Sequence, residues 1–242
     1  MEDLFVTAET IKVLDWTQRP WARGQLQRFC GRFRLDESAL YFDCETPIHQ
    51  CRLISNTFIQ LPVPLRQAAI YLGLTVSTTQ NPHTLSGDQS AVYGSWSSDH
   101  SHISPHLEMS ETSLSSVLIF PHLLHECSHL FWAIQTQTAK DRYKSLMMAT
   151  CKTGFVEVTT YAHGFYNEWQ KLLLMDGFAI QQRRANALDK WVVESFCETV
   201  AKICCPWYKT EENRCNDELL KSRHEAIYEN FGLAIDRQYR VA

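Results

Sequence analysis

Two histidines and a glutamate stand at a spacing typical of a catalytic metal site. The segment His125-Glu126-Cys127-Ser128-His129 places its two imidazoles four residues apart. On a helix both rings would lie on one face, a single turn apart, where they can bind the same ion. Neutral imidazole is a good zinc ligand, and the carboxylate of Glu126 can accept a proton from a water held beside the metal. The sequence therefore predicts a Zn2+ site that activates water, with Glu126 as the general base.

Zinc in such a site needs a third protein ligand, and two carboxylates are candidates for it. Glu194 and Glu198 are four residues apart within the apolar run 191–201. Carboxylates on an apolar helix need a partner, which a metal with its histidines would supply. We assign Glu194 as the third ligand and Glu198 as the acceptor of a hydrogen bond from a ligand histidine. Glu168 remains the alternative third ligand.

The elements that must carry these side chains are mostly helical. Apolar periodicity predicts a helix over residues 113–135, where Pro121 is either a kink or part of the first turn. Further helices are predicted for residues 187–203 and 216–232. Upstream, the pattern predicts a helix with Gly73 at its C-terminal cap, followed by three short strands. These four elements cover residues 65–72, 74–78, 91–94 and 98–104. The fold class that follows is α+β.

Other histidines and cysteines near the motif do not predict a second reactive site. His100, His102 and His106 form a loose cluster that we interpret as an exposed polar loop. Cys127 lies between the two histidines of the motif, and we interpret it as a small buried residue. A cysteine nucleophile would need a histidine base, whereas these histidines are better used as zinc ligands.

Composition limits the classes of partner. Hydrophobic residues make up 45% and charged residues 21% of the 242 positions, which is the balance of an ordinary folded domain. A chain of this length can bury a core without metal, so a metal is expected to serve chemistry. The net charge of −4 and the pI of about 6.2 argue against nucleic acid or an anionic membrane as partner.

The N-terminal sequence, the apolar stretches and the cysteines together predict the cellular compartment. The N-terminus lacks a basic segment followed by an apolar one, and we find no apolar stretch long enough to span a membrane. The nine cysteines form no regular framework, which favours reduced thiols. We therefore expect a cytoplasmic protein, or one exported without a standard signal peptide.

A family resemblance adds to this interpretation. HExxH followed by the segment Glu194-Ser195-Phe196-Cys197-Glu198 resembles the gluzincin-type zinc metallopeptidases, most of all the group of anthrax lethal factor and related toxins and effectors. That group has Ala where this chain has Cys197. Residues 155–162, Phe-Val-Glu-Val-Thr-Thr-Tyr-Ala, are similar to the stretch in which the group carries a catalytic tyrosine. The resemblance implies that Tyr161 would stabilise the oxyanion of the substrate.

The resemblance departs from the family in one spacing. In the family the tyrosine lies about two helical turns before the glutamate ligand. Glu168 has that spacing from Tyr161, whereas Glu194 lies much further along the chain, so an insertion must intervene if Glu194 is the ligand.

The resemblance implies a fold and an activity. It implies a zincin-like catalytic domain over residues 58–242, with residues 1–57 as a segment of unknown fold packed on it. Strand 98–104 would be the edge strand that pairs with an extended substrate. The implied activity is hydrolysis of peptide bonds in a protein or peptide substrate, with an effector role as a further implication. Two alternatives stay open: an enzyme on the same scaffold acting on a small molecule, or a non-catalytic zinc-binding module.

Overall fold

The computed structural model is an α+β protein. It describes residues 32–35, 38–43, 46–79, 91–93, 105–110, 114, 117–151, 157–207 and 217–235. The strands are β1 (Arg32–Leu35), β2 (Leu40–Asp43), β3 (Thr75–Thr79), β4 (Ala91–Tyr93) and β5 (His106–Ser110). The helices are α1 (Ile48–Phe58), α2 (Val63–Tyr71), α3 (Ile119–Ala133), α4 (Gln137–Thr150), α5 (Thr160–Leu173), α6 (Phe178–Cys204) and α7 (Asp217–Phe231).

The chain divides into two compact units, Met1–Cys127 and Ser128–Ala242. The division falls inside α3, so this helix ends the first unit and begins the second. Residue 57, after which the sequence analysis placed a boundary, lies in the last turn of α1. No helix among the described residues is both long and apolar enough to cross a membrane.

The first unit is built on a mixed sheet with the order β1-β2-β3-β5-β4. β2, β3 and β5 run parallel, and the outer strands β1 and β4 are antiparallel to their neighbours. Helices α1 and α2 form the long connection that two parallel strands require between β2 and β3. Beyond α2 the chain turns at Gly73, whose φ of 68° places it in the left-handed region, as its predicted capping position requires.

β5 is a strand that the sequence analysis did not predict. All five of its residues are buried, although polar and apolar side chains alternate along it. Leu107 and Met109 therefore lie on one face of the sheet, and His106 and Glu108 on the other. The expectation that His106 belongs to an exposed loop is wrong: its ring is buried and hydrogen-bonded to Ser77, with 2.8 Å between Nε2 and Oγ. His100, His102 and the predicted strand 98–104 lie outside the described residues.

The second unit consists of helices around an aromatic cluster. Five rings from α3, α4, α6 and α7 pack against one another with centroid separations between 5.1 and 6.5 Å. The members are Phe131, Trp132, Tyr143, Phe196 and Phe231. Such large side chains bury most of the apolar area that holds helices together. The predicted helix 187–203 lies within α6, the predicted helix 216–232 corresponds to α7, and α4 is an additional helix.

Helix α3 is shorter than predicted and begins at Ile119. Pro121 is its third residue, so of the two interpretations of this proline the first-turn one is confirmed. A proline is tolerated there because the first amides of a helix have no intrahelical acceptor.

We expect His106 to make the stability of the protein depend on pH. Burial lowers the pKa of His106 to about 3, so the folded protein keeps the ring neutral while the unfolded chain protonates it below about 6.5. The stabilisation is therefore complete above pH 6.5 and is lost as the pH falls towards 3, by up to about 1.4 kcal/mol per pH unit. Urea unfolding of the wild type and of His106→Gln between pH 7 and 4 measures this, and a parallel pH dependence in both proteins would contradict it.

Candidate metal centre

The HExxH segment lies on a regular helix, α3, as its sequence predicts. Leu123, Leu124 and Leu130 on its other faces are fully buried. His125 is 9% exposed, whereas the side chain of His129 retains 20%. Because the two histidines are four residues apart on one helix, their rings share a face of that helix. The His125 end of this face is buried, and the His129 end is partly exposed to solvent.

Helix α6 brings Glu194 to these histidines. The distance from Glu194 Oε2 to His129 Nε2 is 3.6 Å. Ligand atoms of His125, His129 and Glu194 all lie within 4.8 Å of one another. The structure thus assembles the three side chains that the sequence analysis assigned as metal ligands.

The donor set fits zinc. Tetrahedral zinc with ligand bonds of about 2.0–2.2 Å has neighbouring donors roughly 3.3–3.6 Å apart, close to the observed contact between His129 and Glu194. Two imidazoles and one carboxylate are also the protein ligands of a known type of catalytic zinc site. The side chain of Glu194 retains 12% exposure beside the 20% of His129, so solvent reaches the group. These residues would therefore hold zinc with one position open.

The remaining residues of the motif have distinct environments. Glu126 is 7% exposed, next to His125 on the same helix. Cys127 is fully buried, as predicted. Burial raises the pKa of its thiol far above the ordinary value, and the neighbouring Glu126 carboxylate raises it further. Cys127 therefore remains a neutral thiol and is not an activated nucleophile.

The two other carboxylates singled out from the sequence lie in different surroundings. Glu198 is 1% exposed and lies one turn after Glu194 on the same face of α6. Its hydrogen bond to a ligand histidine stays a prediction. Glu168 is exposed on α5 and does not belong to the group of converging ligand atoms. The geometry thus favours Glu194 over Glu168.

A helical hairpin explains the long interval between Tyr161 and Glu194. The chain reverses between α5 and α6 at Gly177, whose φ of 123° is accessible mainly to glycine. Near the start of α6, Arg184 Nε donates to the Leu172 carbonyl at 3.1 Å. Further along α6, the Trp191 ring packs against the Tyr166 ring with 5.0 Å between the centroids. The later residue of α6, Trp191, thus contacts the earlier residue of α5, Tyr166, so the two helices are antiparallel.

The register of the hairpin places Tyr161 beside the part of α6 that follows Trp191, whose ring contacts Tyr166 and Trp169. The ammonium of Lys190 lies 4.5 Å from the centroid of the Phe165 ring. Tyr161 is one turn before Phe165, whose ring it contacts at 5.1 Å, and Glu194 is one turn after Lys190. In an antiparallel pair these two steps move in the same direction, so we infer that Tyr161 lies alongside the part of α6 that contains Glu194 and Glu198. Tyr161 is 39% exposed.

A buried polar network next to this site was not predicted. Glu157 and Arg223 are both fully buried, and the guanidinium binds the carboxylate through two hydrogen bonds of 2.6 and 2.9 Å. The Trp191 indole donates to Glu157 at 2.7 Å, the Ser195 hydroxyl at 3.1 Å and the Val158 amide at 3.0 Å. Five donors thus satisfy one carboxylate.

The charge of Glu157 is stable in spite of its burial. Burial by itself raises its pKa, but the Arg223 guanidinium, with hydrogen bonds from Arg223, Val158 and Trp191, outweighs this and holds the pKa below its ordinary value. In the sequence, the one feature that indicates this network is a carboxylate, Glu157, inside the apolar stretch 155–158. No sequence feature indicates that Arg223 is buried, because it lies in a polar helix.

Comparison of the chain with protein-family models, with curated proteins and with solved structures gives no match.

Replacing the third ligand is expected to remove the metal. Glu194→Ala deletes a carboxylate that contacts His129, whereas Glu168→Ala deletes an exposed one on α5. We expect about one zinc per chain in the wild type and in Glu168→Ala, and much less in Glu194→Ala, because two histidines alone bind zinc weakly. Elemental analysis of the purified proteins measures this. Loss of zinc in Glu168→Ala instead would move the third ligand to α5.

Proposed function

We propose that the protein is a zinc-dependent hydrolase that cleaves peptide bonds. The convergence of Glu194 on the HExxH histidines carries the proposal. The motif alone could arise by chance on a helix. A third ligand supplied from another helix, at 3.6 Å, is not required by the motif and makes chance a poor explanation.

The residues around the group have the roles that hydrolysis needs. Zinc, when bound by His125, His129 and Glu194, lowers the pKa of a water and polarises a carbonyl. Glu126 accepts the proton of the attacking water and passes it to the leaving amine. Tyr161 donates a hydrogen bond to the oxyanion that develops on the substrate carbonyl. Glu198 orients a ligand histidine through its second ring nitrogen.

The arrangement of the first unit is compatible with a zincin-like fold, which belongs to the proposal. In zincins a mixed sheet precedes the helix that carries the motif, and an antiparallel edge strand binds extended substrate. Here β5 precedes α3, and β4 is an antiparallel strand at the end of the described sheet. The strand predicted at residues 98–104 lies outside the described residues. An extended peptide pairing with a sheet edge would account for a protein or peptide substrate.

Replacing the proposed base is expected to separate metal binding from hydrolysis. Glu126→Gln keeps the size of the side chain and cannot accept a proton. We expect wild-type zinc content and a fall in kcat/KM of about 10²–10⁴-fold, the usual contribution of general acid–base catalysis. Cleavage of a proteome-derived peptide library, read by mass spectrometry, identifies a substrate for the rate measurement. Full activity of Glu126→Gln would exclude this mechanism.

Removing one hydroxyl tests the role of Tyr161. Tyr161→Phe keeps the ring that packs against Phe165 and deletes the donor to the oxyanion. We expect kcat to fall about 10²-fold while KM changes little, because the hydrogen bond forms only as charge develops. Tyr166→Phe, one turn further along the hairpin, is the matched control and should retain activity. Equal kcat values for Tyr161→Phe and the wild type would remove Tyr161 from the mechanism.

A further inference from the structure

The network around Glu157 contacts the same turn of α6 that carries the proposed third ligand. Trp191 and Ser195, three residues before and one residue after Glu194, both donate to Glu157. They are four residues apart and share one face of α6, while Glu194 and Glu198 share the neighbouring face. Holding the first face fixes the rotation of α6 about its axis, and that rotation decides where the second face points.

The same carboxylate also controls the start of α5. Glu157 accepts from the amide of Val158, directly before the N-cap of α5 at Thr159. The Thr159 hydroxyl accepts from the Ala162 amide at 3.2 Å and so holds the first turn, in which Tyr161 lies. Glu157 therefore connects the beginning of α5 with the middle of α6.

Arg223 extends this connection to α7. Besides its two bonds to Glu157, it donates to the Ser195 hydroxyl at 2.8 Å. A bidentate guanidinium fixes the direction as well as the distance of its partner. A hydrophobic contact in its place would allow α6 to rotate or slide.

We propose that Glu157 and Arg223 are positioning residues that aim Glu194 at the two histidines, so that their ion pair sets the affinity of the metal site. This inference rests on the proposed function, since it concerns the same zinc ligands. Neither residue belongs to the group of converging ligand atoms; both act through the turn of α6 that Trp191 and Ser195 border.

The test compares metal binding with stability in matched variants. Glu157→Gln and Arg223→Met each break the ion pair, and Trp191→Phe removes one donor to Glu157 while keeping an aromatic ring. Ile227→Ala is the control, because Ile227 is fully buried on α7 one turn after Arg223 and makes no hydrogen bond to Glu157 through its side chain. Zinc affinity is measured by competition with a chromophoric chelator, and site geometry by the visible spectrum of bound Co2+. Unfolding curves establish that each variant is folded at the temperature used.

We expect zinc affinity to fall about 10- to 100-fold in Glu157→Gln and Arg223→Met, the usual effect of losing a residue that orients a ligand. The Co2+ spectrum should change with it. Trp191→Phe should show a smaller loss in the same direction, and it decides the matter if the ion-pair variants do not fold. Ile227→Ala should lose stability and keep wild-type affinity and spectrum.

The opposite results separate the two proposals. Wild-type affinity in the folded network variants, or an equal loss in Ile227→Ala, would overturn the positioning role alone. A wild-type protein that binds zinc but cleaves no peptide would overturn the proposed activity and leave the positioning role standing. A wild type that binds no zinc would overturn both.

Discussion

The buried ion pair of Glu157 and Arg223 is the constraint on which the helical unit depends. Taking two charges out of water costs several kcal/mol per ion, and only close, well-directed partners offset that cost. Here the carboxylate accepts from the guanidinium, an indole, a hydroxyl and a backbone amide. The pair thus requires α6, α7 and the start of α5 to meet at one point. The aromatic cluster around Phe196 adds stability but little direction, because ring packing tolerates sliding.

The candidate metal centre uses the rigidity that this network provides. His125 and His129 are aligned by the helix on which they lie and need no further support to share a face. Glu194 comes from a different helix, so its approach to His129 depends on how α6 is held. The hairpin of α5 and α6 then brings Tyr161 alongside the part of α6 that carries Glu194. The proposed ligand and the proposed oxyanion donor thus lie on the two arms of a hairpin, whereas the peptidase group that the motif resembles carries them on one helix.

Local patterns predicted the helices and strands whose own sequence has a clear periodicity or a strong backbone preference. The helix carrying the motif, the cap at Gly73, strand β3 and the helices 187–203 and 216–232 follow from periodicity and from residues with strong backbone preferences. β5 escaped prediction although His106 to Ser110 alternate polar and apolar residues. Alternation of polar and apolar residues is usual in a strand with one solvent-exposed face, whereas both faces of this inner strand are buried. The polar face is satisfied by partners such as Ser77, which only the folded sheet supplies.

The sequence by itself determined the chemistry of the site: two imidazoles one helical turn apart, a carboxylate beside them, and a second pair of carboxylates on an apolar helix. Spacing along one helix is enough for these relations, because helix geometry converts sequence distance directly into direction. Only the tertiary structure decided that Glu194 and not Glu168 meets the histidines, that Tyr161 lies alongside the same part of α6, and that Glu157 pairs with Arg223. Those relations join residues far apart in the chain, and their distances depend on how helices pack, which no local pattern encodes.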